Sequence, residues 1–410
     1  MRILYISQYF PPEIGATQTR AVEMVTNLAK LGHEVVVLTE FPNHPKGIIP
    51  PRYKGKLVEH SVWQGIHIFR TWVYARPNKN FFTRMGLYLS FMLSASLFGS
   101  FIKGPFDIVY TTSPPFFVGV AGLWLSRLKN AKFVFEVRDL WPESAVELGE
   151  LSNPRMIKWA EKLENYYYRQ AAAIVAVTGG IKARLARRGY SGVHLVQNGA
   201  NTDLFCNRGP ALKTTLGWQD KFVVLYAGIF GIAQGMEQLV TLVEKFTTNP
   251  EIHFVFIGEG PVKASVQKLQ QDKALTNLTL MNEVAREAIP DYISAADCCL
   301  VPLKKNNLFL GALPSKMFDC LACERPVILS VDGEARLVLE TAGAGIFVEP
   351  ENTDQMAQAI LRLKTDPALC KQMGQAGRAM VVKHYSRKQK ALELEQILTS
   401  LLQNKRSAQD

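Results

Sequence analysis

"FVVLYAGIFGIAQGMEQL", Phe222 to Leu239, opens as a run apolar on both faces, passes Gly228, Gly231 and Gly235, and enters a helical pattern. A β-branched and aromatic run that does not alternate reads as a strand buried on both sides. Glycines between such a strand and a helix mark a tight turn. Five more apolar runs follow, at 252–258, 278–281, 298–303, 326–330 and 344–350, with helical patterns between most of them. Strands alternating with helices imply a parallel sheet covered on both faces. An α/β domain therefore begins near residue 205.

The same pattern precedes it. Residues 2–7 ("RILYIS") and 34–39 ("EVVVLT") bracket a helical stretch from Thr19 to Leu31 that stops at Gly32, a βαβ unit. Further runs stand at 107–112, 132–137, 172–177 and 193–197. The reading is α/β with two doubly wound, Rossmann-like domains, 1–200 and 205–385, joined through the Asn- and Gly-rich "QNGANTDLFCNRGP" (197–210). Three helices near 353–365, 367–384 and 387–403 close the structure, and the segment 386–410 is expected to pack back toward the first domain. Ligands of open parallel sheets bind beyond the C-terminal strand ends, so a site is expected in a cleft that the two sheets face.

The composition fits this organisation. A chain of 410 residues with 48% hydrophobic content can fill two cores. "MRILYIS" is one short strand rather than a leader, so a cytoplasmic location is expected. The six cysteines lie mostly in apolar runs, which suits buried thiols in a reducing compartment. Cys320 and Cys323 form a CxxC without a second pair or a nearby His, so zinc is not expected. The net charge of +11 is carried by the first half, where residues 1–200 hold 24 Lys and Arg against 13 Asp and Glu, while the remainder holds 23 of each. That half either faces an anionic partner or is simply a solvated basic surface. The absence of RNA- or DNA-binding motifs argues against nucleic acid.

Residues able to carry chemistry gather at the strand ends. Gly228, Gly231 and Gly235 give GxxGxxxG, neither the dinucleotide fingerprint nor a Walker A loop. Such a loop is either a plain turn or a place where backbone N–H groups approach a phosphate. "FIGEGPVK" (256–263) repeats the arrangement with Gly258, Glu259 and Gly260. In "LGALPSKMFDCLACERPV" (310–327), Ser315 and Lys316 start a helix after Pro314, and Asp319 follows one turn later. A cation with first-turn amides suits a diphosphate, and a carboxylate suits ribose hydroxyls; an ordinary helix with an i,i+3 ion pair is the alternative. "VFEVRDLWPES" (134–144) puts Arg138 and Asp139 at a buried strand end, where they line a site or pair with each other. "FPPEIGATQTR" (10–20) offers Glu13, the Gly15 backbone and a helix start. There is no DxD, the common carboxylate pair for a metal-bound sugar nucleotide.

Taken in order, "QYFPPEIGA…R", "GHEVVVLT", "RDLWPES", "QNGAN", "YAGIFGIAQG", "GEGP" and "PSKMFD…RPV" resemble a bacterial retaining glycosyltransferase of family 4. The nearest branch holds O-antigen N-acetylfucosamine transferases and colanic-acid transferases. The resemblance implies a GT-B fold, with acceptor on the first domain, nucleotide-sugar donor on the second, and metal-independent transfer with retention. It implies that Asp319 holds the ribose, and that Ser315, Lys316 and the Gly231 backbone bind the diphosphate. Gly228, Gln234, Gly258 and Glu259 complete the donor loops, and Glu13 and Gly15 reach the donor from the first domain. Arg138, Asp139 and Lys316 are the expected catalytic residues. The donor is expected to be UDP-linked, with no cofactor and no metal. This chain departs from the family pattern at Ile229 and Gln234, where many members carry Arg and Lys, and at Leu310 and Gly311, near the place of the first acid of a Glu pair. Arg138 stands where many members have His. A non-hydrolysing UDP-sugar 2-epimerase and a non-catalytic donor-binding scaffold are the competing readings.

From Met85 to Ile102 the chain runs 18 residues without a charge. This stretch is a membrane span, a helix buried in the first domain, or an interfacial helix resting on lipid. Arg70, Arg76, Lys79, Arg84 and Lys103 flank it, with Trp72, Tyr74, Phe81 and Phe82 between, which suits anionic headgroups. The expectation is a peripheral protein on the inner face of the cytoplasmic membrane, acting on a lipid-linked glycan.

Overall fold

The computed structural model describes residues 1–406 apart from 14, 45, 78, 79, 148 and 150, so Lys79 lies outside the described residues. The chain divides into two compact units, 1–198 with 390–410, and 199–389. In the first, strands β1 (Arg2–Ile6), β2 (Glu34–Glu40), β3 (Val58–Trp63), β4 (Ile66–Thr71), β5 (Ile108–Ser113), β6 (Lys132–Val137), β7 (Ala173–Ala176) and β8 (Val193–Leu195) form one sheet. Its order is β3-β4-β2-β1-β5-β6-β7-β8. All pairs are parallel except β3 with β4.

Alternation along the strands builds two cores. Ile3 and Tyr5 of β1 and Val35 and Val37 of β2 face one side, where helix α1 (Ala16–Lys30) adds Met24, Val25 and Leu28. Ala391, Leu394 and Leu398 of the helix Arg387–Arg406 complete that core. Leu4, Ile6, Val36 and Leu38 face the other side, against Phe91 and Ala95 of α2 (Phe81–Ser100) and Ala121 and Leu125 of α3 (Val118–Leu128). Each such fully buried side chain contributes roughly 1.5–3 kcal/mol relative to exposure. Gly99 lets α2 come close, because a Cβ there would lie 2.7 Å from Leu125 and 2.8 Å from Leu38. The β6–β7 connection holds a short helix, α4 (Glu143–Glu147), and a longer one, α5 (Pro154–Gln170).

The β3–β4 hairpin is an addition to the sequence reading. β3 is mostly exposed, and His67 and Arg70 interrupt the apolar pattern of β4, so neither reads as a buried parallel strand.

One ion pair ties these layers together. Arg20 of α1 and Glu136 of β6 are 1% and 0% exposed and meet with Nη2 2.7 Å from Oε2. Tyr110 and Thr112 of β5 donate hydroxyls to the same carboxylate at 2.6 and 2.7 Å. Arg20 also donates to the carbonyls of Val196 and Gln197 beyond β8. The guanidinium overcomes the effect of burial and holds the Glu136 carboxyl down at about 2.

The second unit has six parallel strands, β9 (Phe222–Ala227), β10 (Ile252–Ile257), β11 (Leu278–Met281), β12 (Cys298–Pro302), β13 (Val327–Ser330) and β14 (Gly345–Phe347), in the order β11-β10-β9-β12-β13-β14. Val223 and Leu225 pack with Met317, Phe318 and Leu321 of the helix Ser315–Ala322. Val224 and Tyr226 pack with Leu239, Val240 and Val243 of the helix Met236–Glu244. Both sheets reverse direction beside their first strand, at β1/β5 and β9/β12, the points where doubly wound sheets open a crevice.

Replacing Arg20 by Met leaves Glu136 buried without its cation and is expected to cost the first unit about 3–5 kcal/mol, whereas Arg20→Met with Glu136→Leu should regain much of that. Urea unfolding of the single and double variants reads the difference. The wild-type contribution has a definite pH window: Glu136 is lowered on folding, so its stabilisation is complete above the usual carboxylate range and is lost as pH falls from about 4.5 toward 2. An acid titration of the melting temperature should be shallower in the double variant.

Candidate functional site

In the second unit, two glycine strand ends and one helix start converge. Gly228 follows β9 and Gly258 follows β10, and the two backbones touch: a Cβ on Gly258 would lie 1.8 Å from the Gly228 carbonyl oxygen. Only hydrogen fits there, which explains the glycine. The amides of Gly228 and Phe230 donate to Ile257 and Glu259, and the Val262 amide donates to Phe230, so the loops form one stitched floor. Gly231 precedes a single 3-10 turn, Ile232–Gln234, and Gly235 takes the left-handed conformation at its end, φ 61°. Ile229 and Ile232 project from this loop 62% and 68% exposed.

Lys316 enters the floor from the helix Ser315–Ala322. Its Nζ donates to Tyr226 Oη at 3.1 Å and sits 4.3 Å from the centre of that ring. A Cβ on Gly228 would come within 2.6 Å of the ammonium, so the glycine keeps the space in front of it clear. The surrounding protein strips water from the ammonium and pushes it down to about 8; no carboxylate offsets this, and only the Cys320 thiol acts the other way. The helix has Pro314 at its cap and no side-chain cap; the Met317 amide donates to the Pro314 carbonyl, which leaves the amides of Ser315 and Lys316 beside the cation. Ser315 lies in that turn, and Asp319 stands partly exposed one turn further.

Glu259 is held by Lys263, 2.5 Å away, and Lys263 also donates to Asn282. Glu259 is thus part of the loop's own framework. Gln234 sits partly exposed in the 3-10 turn. The structure brings Gly228, Gly258 and Lys316 into direct apposition, with Gly231, Gln234 and Ser315 on the adjoining segments.

The first unit presents a different set. Among the described residues Arg138 and Asp139 form no ion pair with each other, and Asp139 is held by Ser144 and the Leu140 amide instead. Arg138 lies in the field of Glu136 and Arg20; burial is the main influence on it and lowers it, with Glu136 acting the other way. Its Nε has no hydrogen-bond partner. Asp139 accepts hydrogen bonds from Ser144 and from the Leu140 amide, yet burial raises it above its ordinary value. It lines a cavity of about 160 Å³ with Arg84, Tyr88 and Trp141.

Glu13 turns to its own neighbourhood, where its Oε1 accepts from the Asn43 and His44 amides, both at 2.6 Å. Burial raises its carboxyl against these bonds. Gly15 caps α1 without a side-chain bond, leaving that helix's first amides open. Arg70 corrects the sequence reading: it is 6% exposed and donates to Pro11 and Ser61, so it cannot meet a lipid surface. Arg76 is exposed over the Tyr74 ring, Arg84 and Phe81 are partly exposed, and Phe82 is 80% exposed.

Sequence reasoning passed over Glu136 and Arg20. The signal was present, since a lone acid inside "KFVFEV" must find a cation once the strand is buried.

Comparison with known proteins places both units. A family profile described as Glycosyl transferase 4-like domain matches residues 15–199, and one described as Glycosyl transferases group 1 matches 211–380. The chain is similar to WcaI, a colanic acid biosynthesis glycosyl transferase of Escherichia coli K12, at 24% identity over 88% of this chain and 91% of that protein. It is 27% identical to the alpha-D-kanosaminyltransferase of Streptomyces kanamyceticus, over 64% of this chain and 69% of that one. Among solved structures, Anabaena Alr3699/HepE in complex with UDP-glucose aligns with a TM-score of 0.72 at 14% identity, covering 98% of this chain and all of that one. The sucrose-phosphate synthase of Thermosynechococcus elongatus aligns at 0.71 with 20% identity, over 98% and 99% of the two chains. With one profile on each half of the chain and neighbours of the same fold along its length, the chain belongs to the family 4 glycosyltransferases and has their GT-B fold.

Proposed function

We propose that the chain moves a sugar from a UDP-linked donor to a lipid-linked glycan, with retention of anomeric configuration and without a metal. The observation that carries the donor reading is Lys316, a cation with no carboxylate partner among the described residues, at the meeting of two glycine loops and a helix start. Leaving such a cation desolvated costs free energy unless an anion completes it. A diphosphate fits, and UDP is the nucleotide bound in the Anabaena structure.

The chemistry follows from charge. Breaking the bond between sugar and diphosphate builds oxocarbenium character on the sugar and negative charge on the leaving oxygen. Lys316 and the amides at Ser315 meet that negative charge. The acceptor hydroxyl attacks from the face that the diphosphate leaves, and the departing phosphate oxygen takes the hydroxyl proton, so no enzymic nucleophile is required. Asp319 is assigned to the ribose, and Asp139 to a hydroxyl of the acceptor.

The acceptor reading rests on α2. Its inner stripe, Phe91, Ser94, Ala95 and Gly99, is buried in the first unit. Its outer stripe, Phe82, Leu89, Leu93 and Leu97, is exposed, and Trp124 and Leu128 of α3 and Phe101 extend the apolar surface. Long apolar side chains left in water in one patch mark an interaction surface. Exposed Arg76, Lys103, Arg155 and Lys158 on the same unit suit anionic headgroups. By length and composition α2 could cross a membrane, yet its inner stripe is already used by the sheet, which favours lying on lipid over spanning it.

Two experiments test these assignments. In a thermal-shift series with UDP, GDP, ADP and dTDP, UDP should raise the melting temperature, and Lys316→Ala and Asp319→Ala should abolish the shift. UDP affinity should hold near pH 7 and fall up to about tenfold per unit above pH 8, as the ammonium loses its proton; Lys316→Arg should flatten that fall. No shift with any nucleotide would sink the donor site. In the second experiment the protein should float with anionic vesicles at low salt, and Leu93→Asp with Leu97→Asp should keep it in solution with the UDP shift intact. Turnover of a UDP-sugar without any acceptor would instead favour the epimerase reading.

A further inference from the structure

A second cavity in the first unit belongs to none of these assignments. It has a volume of about 230 Å³ and lies between α2 and α5, walled by Met85, Phe117, Trp141, Met156 and Trp159. Arg155 is the one charged side chain in its lining. Phe81, Met85, Phe117, Trp141 and Leu151 line both this cavity and the one that contains Asp139, so the two form a single groove. Its outer half is apolar, and its inner half carries Arg84, Tyr88 and Asp139.

We propose that this groove holds the hydrocarbon chain of the acceptor lipid next to its phosphate, with the chain in the outer half, the phosphate at Arg84 and Arg155, and the first sugar at Asp139. This rests on the lipid-linked acceptor proposed above and assigns residues to it.

Three observations select this occupant. A helix is about 10 Å across and does not enter a slot of this volume. An extended peptide would place N–H and C=O groups against a wall that carries no side-chain oxygen, only the donors of Arg155 and of the Trp141 and Trp159 indoles, leaving its N–H groups without acceptors. A hydrocarbon chain has no such groups. Charge then sets the direction: Arg155 lines the apolar cavity and Arg84 lines the one that holds Asp139, and a glycolipid runs in the order chain, phosphate and sugar. Aromatic rings and methionine sulfurs make adaptable walls for a flexible chain. Trp159 remains 55% exposed and Met156 45%, so this wall is in water until something covers it. Phe81 and Met85 of the groove lie on the same helix as the exposed stripe proposed to rest on lipid, which gives a chain a short route out of the bilayer.

The test uses the full chain and dodecyl phosphate below its micelle concentration, with tryptophan emission as the readout, since Trp141 and Trp159 both line the groove. Saturable binding is expected, with inorganic phosphate producing no change. Trp159→Ala and Met156→Asp lie on the exposed side of the wall and should fold; each should weaken binding roughly tenfold or more, as loss of one apolar contact surface implies. Arg84→Glu with Arg155→Glu should weaken dodecyl phosphate and leave an uncharged dodecyl glycoside unaffected. The UDP thermal shift of each variant reports independently on the second unit. Dodecyl phosphate binding that is absent, or unchanged by Met156→Asp, overturns the groove while an intact UDP shift leaves the donor reading standing. Concentration-dependent dimerisation abolished by Met156→Asp would assign the wall to a second copy and overturn it as well. Binding that survives Leu93→Asp with Leu97→Asp, which should remove only vesicle attachment, supports a groove distinct from the lipid-resting face.

Discussion

The first unit is organised around a charge that water cannot reach. Glu136 sits inside a strand of a sheet covered on both faces, where a carboxylate alone would be driven to protonate. Arg20 prevents this, and the geometry it adopts to do so joins α1 to β6 directly and to β5 through the hydroxyls on the shared carboxylate. Its remaining donors hold Val196, Gln197 and Asn198, the last residues of the unit before residue 199. Arg138 lies within the same field, next to Asp139 just past the end of β6. A buried pair of this kind adds little net stability compared with apolar residues of similar size, but breaking one partner is costly. Its contribution here is to tie α1, β5, β6 and the chain after β8 to one point.

The second unit applies the opposite logic at Lys316. There the cation is desolvated without an acid, and the protein accepts the cost of an incomplete site. Tyr226 supplies a ring and a hydroxyl, neither of which neutralises charge. The glycines at 228 and 258 then have a shared reason: one clears the space before the ammonium, and the other lets two strand ends touch. With Ile229 and Gln234 in the loop, Lys316 is the cation that the proposed donor site depends on, and burial brings its loss of charge down to about 8.

Much of this was legible in the sequence. Runs apolar on both faces announced the parallel strands, and the restart at Phe222 announced the second sheet, because a buried parallel strand has no polar face to disguise it. The β3–β4 hairpin was not legible, since an exposed edge strand is not required to be apolar. Lys316 and the glycine loops stood out by their place between strand and helix. Arg70 and Glu13 were harder, because a charged residue near a loop looks the same in sequence whether it faces a ligand or its own backbone. Both are bound internally: Glu13 holds the 43–44 amides and Arg70 holds the carbonyl of Pro11.

The helix α2 shows why periodicity alone could not decide its role. A helix apolar on all sides has no stripe to read, so burial, spanning and lying on lipid share one sequence pattern. The structure separates them by using one side: Phe91, Ala95 and Gly99 pack on the sheet, while Leu93 and Leu97 remain 64% and 57% exposed. A helix that served only the core would carry polar residues on that outer stripe, where leucines gain nothing from the protein. The lipid surface proposed above would give these side chains an apolar partner. The same reasoning extends to Trp159 and Met156 on α5, whose apolar surface faces the groove rather than the core. Two separate elements thus present exposed apolar surface in one unit, and the proposed acceptor, which joins a hydrocarbon chain to a polar head, would cover both.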